Sequence, residues 1–232
     1  MRLRTWANVC RFHLLQRLNY YVLPLAVLAF GFVVDVVILE LTPAGHTPDR
    51  AVGGLGSIYV LVFVLGVQSV ARSLPFAMAS GVSRRSYYLG TTLLAGAFAT
   101  AYGLLIVAGQ ALERATGGWG MKMAFFRVPY ILEGPWYLTW LTSAVTLALL
   151  FVFGTWFGLV YRRWRIVGTV TFTAALVAGG AAAAVATTWA QAWGSLGHFF
   201  TTLSALGLTG LLAAVAAVLV AGGLATVRRI TV

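Results

Sequence analysis

A chain of 232 residues that is 60% hydrophobic and only 9% charged has too little polar side chain to clothe a water-soluble globule of that size. With a mean hydropathy of +0.90, it needs lipid as part of its solvent. The net charge of +11 does not point to nucleic acid, because the arginines are scattered over separate segments instead of forming one basic face.

Residues 1–20 place Leu3, Trp6, Ala7, Cys10 and Leu14 on one helical face and Arg4, Asn8 and Arg11 on the other, with Arg17 intruding on the apolar side. This pattern predicts a basic amphipathic helix lying on the membrane surface. Residues 21–41 are the first long apolar run and lack a small-residue cleavage site, so they predict a retained span. A polar, turn-rich loop over 42–54 carries Pro43, His46, Pro48 and Asp49 before a second span at 55–71. Residues 72–88 interrupt the apolar pattern with Pro75, Gly81, Arg84 and Arg85, and a third span follows at 89–112. An amphiphilic loop over 113–135 leads to a fourth span at 136–160, which ends on Arg162, Arg163 and Arg165. The fifth span is 166–188, an aromatic connector fills 189–200, and the sixth span, 201–227, is closed by Arg228 and Arg229.

Runs of about 18 apolar residues or more are what a helix needs to cross about 30 Å of hydrocarbon, and barrel strands would alternate over about ten residues instead. Backbone groups in lipid must bond within their own segment. The expected fold class is therefore all-α: a polytopic integral membrane protein with six transmembrane helices, the whole of 21–232 forming one transmembrane domain. Cytoplasmic loops retain Lys and Arg. With both termini cytoplasmic, twelve of the sixteen basic residues fall inside and no acidic residue does, leaving Arg50, Arg114, Lys122 and Arg127 outside. The expected location is the cell membrane, crossed several times.

The chemistry of hydrolysis is missing from this alphabet. The sole lysine, Lys122, is followed by Met123, so no phosphate-binding GxxxxGK[ST] loop exists. His13, His46 and His198 lie in three different regions with no ligand spacing, so no metal is expected. The lone Cys10 cannot form an intramolecular disulfide. No catalytic residue and no cofactor are expected, and any ATP hydrolysis would belong to another chain. Asp35, well inside the first span, either serves a function or meets water or another helix near the outer surface. Gly154 and Gly158 form a GxxxG in the fourth span, a spacing that brings helices close or simply follows from the abundance of small residues. Trp189, Trp193, His198, Phe199 and Phe200 suit an interfacial turn.

The interruption at 72–88 is too polar to continue a span and too apolar for a flexible linker. It predicts a short amphipathic helix at the cytoplasmic surface, burying Phe76 and Met78 and turning Arg84 and Arg85 towards water, lipid phosphate or an acidic partner. The stretch from Phe76 to Gly90, FAMASGVSRRSYYLG, resembles the coupling segment of ATP-binding-cassette exporter permeases of the second type, in which a GxSRRxxxxG-like stretch marks the elbow that docks on the ATPase. The match in sequence covers these 15 residues, and the match in plan covers the chain, including a partly inserted outer connector before the last span. The resemblance implies Phe76, Met78, Val82, Ser83, Arg84 and Arg85 as residues that couple to the ATPase. It also implies a dimer with a second permease subunit, identical or not, two copies of a separate ATPase, and export of a small hydrophobic or amphipathic solute. The basic pair is equally what topology alone requires. An ATP-independent carrier or channel, or a non-transporting anchor or regulatory subunit, would share the six spans without the ATPase contact.

Overall fold

The computed structural model describes residues 21–42, 50–128, 132 and 134–227. The predicted surface helix over 1–20 and the basic end at Arg228 and Arg229 lie outside the described residues. In chain order the elements are α1 (Leu23–Leu41), β1 (Arg50–Ala51), α2 (Gly56–Ala71), α3 (Ser73–Ala79), α4 (Arg84–Ala115), a widened turn over Gly118–Lys122, β2 (Met123–Ala124), α5 (Trp136–Trp189), α6 (Trp193–Thr202) and α7 (Ala205–Val227). Five helical stretches are long and apolar enough to cross a membrane: α1, α2 continued through α3, α4, α5 and α7. The described chain is thus an all-α membrane-type architecture, its one strand pairing being a two-residue parallel contact of Arg50 with Met123 and Ala51 with Ala124.

At 54 residues, α5 would be about 81 Å long at 1.5 Å per residue, well over twice the hydrocarbon thickness. It is not one rod. Arg165 sits at φ 57° and ψ −146°, a region that costs a non-glycine residue about 1–3 kcal/mol, and this breaks the helix directly after Arg162, Arg163 and Trp164. The half before the break is packed, whereas no residue between 161 and 208 is buried.

Glycine sets the tightest helix contact. A Cβ on Gly66 of α2 would collide with the Phe151 carbonyl of α5, one on Gly154 with the Phe63 carbonyl, and one on Gly158 with the Val67 carbonyl at 2.7 Å. The GxxxG of the fourth span therefore brings backbones together, the closeness on which lipid-embedded helices depend because hydrophobic drive is absent there. Around this contact Ile58, Val62, Leu65, Leu147 and Phe151 are buried in the main core with Phe98, Ile106 and Leu132. Farther along, the Thr142 and Thr209 hydroxyls share a buried 2.7 Å hydrogen bond between α5 and α7, and the Trp156 indole donates to the Leu219 carbonyl at 2.9 Å.

The loop after α4 is held by one carboxylate. Glu113, 0% exposed, accepts from the backbone N–H groups of Phe125 and Phe126, each at 2.8 Å, and from the Arg127 guanidinium at 2.9 Å. The Gln110 amide donates to the Leu132 carbonyl at 2.6 Å. Asp35 is likewise accounted for: its carboxylate accepts the Gly54 N–H at 2.8 Å, tying α1 to the chain entering α2.

Candidate functional site: the elbow between α2 and α4

The predicted short helix forms as α3, and its end is written in Gly81. Val82 N–H donates to the Ala77 carbonyl at 3.1 Å and Gly81 N–H to that of Met78 at 3.0 Å, with Gly81 at φ 79°. This is the hydrogen-bond pattern of a Schellman close, in which the left-handed position suits glycine. Two residues later Ser83, in extended conformation, accepts the Ser86 N–H at 3.2 Å through its hydroxyl and caps α4. The Gly-Val-Ser of the motif thus works as a stop and a start that fold the chain back within four residues. Ser83 has a conformational task that its place among coupling residues did not reveal.

Helix α4, the third predicted span, begins at Arg84, earlier than the expected 89, because the Ser83 cap adds more than a turn ahead of the apolar run. Arg84 and Arg85 therefore occupy its first turn, where a cation opposes the helix dipole by about 0.3–1 kcal/mol. Their presence there does not serve helix stability. Arg85 is exposed and Arg84 half-buried.

The buried side of the elbow is fixed to three helices. Leu74, Ala77, Tyr87 and Tyr88 pack with Val70 of α2, Leu159 of α5 and Val227 of α7, and Met78 and Val82 join from the edge. The Tyr87 hydroxyl donates to the Ser69 carbonyl at 2.5 Å, bridging α4 to α2. A Cβ on Gly223 would strike the Tyr88 hydroxyl, so α7 closes directly over this ring.

One expectation is reversed in detail. Phe76, predicted to bury with Met78, is 60% exposed, and Leu74 and Ala77 take the inward face instead. Seven residues of helix make two turns, and Leu74, Ala77 and Met78 at spacings of three and four leave Phe76 on the far side. Of the six residues singled out, Met78 and Val82 belong to the packed edge, while Phe76, Ser83 and Arg85 lie on the open surface with Arg84 beside them. No family model matches the chain, and no curated protein or solved structure matches it. What the elbow can do is accordingly read from its own geometry: a large aromatic ring and a cation, exposed on a turn whose other side is locked into the helix bundle.

At the far end of the bundle, α6 occupies most of the aromatic connector. Ten residues, Trp193–Thr202, form a helix with no buried side chain, entered through Gln191 at φ 51° and set off from α7 by Leu203 and Ser204. The connector is a helical excursion, not a plain turn. Among the described residues no three His, Cys, Asp or Glu side chains come together as a metal site.

Proposed function

We propose that this chain is the membrane-spanning permease subunit of an ATP-driven exporter in a cell membrane. It crosses the bilayer six times with both ends cytoplasmic, the break at Arg165 dividing α5 into an outward and a returning crossing. A second permease subunit completes the solute pathway, and two copies of a separate ATP-binding-cassette ATPase drive it through the elbow. This chain hydrolyses nothing itself. The solute class is hydrophobic or amphipathic.

The observation that carries this reading is the exposure of Phe76 and Arg85 on one elbow, which Tyr87 and Tyr88 anchor to the bundle. An aromatic side chain and arginine are the residue types that concentrate binding energy at protein interfaces. An elbow with a soft attachment would absorb a push, whereas this one hands it to α2, α5 and α7. The second-subunit contact is supported by the stretch 166–189, an apolar helix that finds almost no cover within the monomer and is rich in small residues, with four consecutive alanines at 181–184.

The test is a photo-crosslinking amino acid at position 76 in native membranes. The expected adduct is a cytoplasmic chain bearing a P-loop, and its yield should fall by about tenfold or more when Arg84→Glu and Arg85→Glu are introduced together, with membrane insertion unchanged. Adducts to lipid alone, or a yield indifferent to charge reversal, would overturn the assignment.

A further inference from the structure

We propose that Arg162 binds the phosphate of an anionic membrane phospholipid, beside the end of α2 and just ahead of the break in α5. Arg162 is half-buried, and its Nε is buried without a hydrogen-bond partner. A guanidinium keeps its charge and presents its donors as a planar fork, so an unmet buried donor on it calls for an anion. Among the described residues no carboxylate is placed to answer. Asp35 holds the Gly54 N–H ahead of α2, Glu40 lies beyond Asp35 at the end of α1, and Glu113 closes the loop after α4, all at the opposite end of the bundle.

The position of Arg162 follows from its own helix. Gly158, one turn earlier, packs on Val67, Val70 and Ala71 of α2. Arg162 continues the same face of α5 and so comes to where α2 gives way to α3 at Arg72. From Trp136 to Arg165 the helix rises about 45 Å, the thickness of a bilayer with its headgroups. Exposed Trp136 and Tyr137 mark one end of this rise and exposed Tyr161 and Trp164 the other, as the two aromatic belts of a membrane-crossing helix do. Arg162 thus lies in the phosphate layer. This needs only the crossing of a bilayer by α5, and not the exporter reading.

A lipid suits this place better than an acidic protein surface. Arg163 lies over the Trp164 ring at 4.8 Å, a cation–π contact that engages its charge and leaves Arg162 with the unmet donor. Directly after the break Ile166 and Val167 are exposed and apolar. A phospholipid brings hydrocarbon for these side chains and a phosphate for the guanidinium in one molecule. An arginine beside a phosphate also gains a charge-assisted hydrogen bond, which is about twice as strong as a neutral one.

Native mass spectrometry of the full chain, released from vesicles of phosphatidylcholine and phosphatidylglycerol, tests this. One phosphatidylglycerol per chain is expected to stay bound, and Arg162→Gln should lower its retention about tenfold or more, the worth of one charged hydrogen bond. Arg163→Gln, the same change of charge one residue on, should leave retention nearly unchanged. Should Arg162→Gln fail to insert, Arg162→Lys keeps the charge, loses the planar fork and should lower retention as well. No retained lipid on the native chain, equal retention in the Arg162 variants, or an equal loss in Arg163→Gln overturns the proposal. So does displacement of the lipid by inorganic phosphate alone, which marks a free-anion site. A photo-crosslinker at Tyr161 that joins a protein in native membranes, and loses it on Arg162→Gln, overturns it too, since an acidic partner would then hold the arginine.

Discussion

Glu113 shows how much structure one carboxylate can organise when it is fully buried and accepts from two successive backbone N–H groups as well as a guanidinium. Removing it strands all of these donors at once, and breaking such a buried pair costs about 3–5 kcal/mol. Glu113→Ala is therefore expected to lower the thermal unfolding midpoint in detergent sharply, and Glu113→Gln, which keeps an acceptor, to do so less. Equal stability of both variants and the native chain would remove the carboxylate from this role. In sequence Glu113 is simply a polar residue at the edge of an apolar run, and Arg127 is one more outer cation. Their pairing over fourteen residues depends on a loop whose path has no periodicity to betray it. Asp35 was easier, because a charge inside a span must find a partner, although the Gly54 N–H as that partner emerges only from the fold.

At the level of helices, the apolar runs announced themselves and their ends did not. The start of α4 moved from 89 to Arg84 because Ser83 caps it, and a cap is a matter of one hydroxyl and one N–H that hydropathy cannot register. Phe76, expected to bury, faces out while Leu74 faces in for a similar reason: both are apolar, and only the helix phase decides which of them faces inward. Gly154 and Gly158 were visible as a spacing, yet many spacings of small residues occur here, and only the close approach to Gly66, Phe63 and Val67 of α2 marks this one as an interface. Because the Phe151 carbonyl lies where a side chain on Gly66 would go, Gly66→Val should force α2 and α5 apart. A loss of about 1–3 kcal/mol is expected, as for an overpacked core, read as a lower unfolding midpoint. An unchanged midpoint would mean that the two helices are not held this closely.

For the molecule as a whole, the distribution of arginine predicts which side of the membrane each end of the bundle faces. In a Cys10→Ser background, Ser80→Cys should resist an impermeant maleimide in intact cells and react once they are opened. Lys122→Cys, on the widened turn after α4, should react from outside. The reverse pattern would place the elbow beyond the reach of any cytoplasmic partner. Within that frame the bundle divides into two mechanical parts. Tyr87 rivets α4 to α2, and the glycine contact rivets α2 to the first half of α5, so on the function proposed above a push at Arg84 and Arg85 would be carried as far as the break at Arg165. There the backbone already sits off its comfortable wells, and no residue from 161 to 208 is buried, the Phe172 ring resting edge-on against Phe157. On that proposal Arg165 would be the fulcrum, and the arm that swings would be the stretch with the least to let go of.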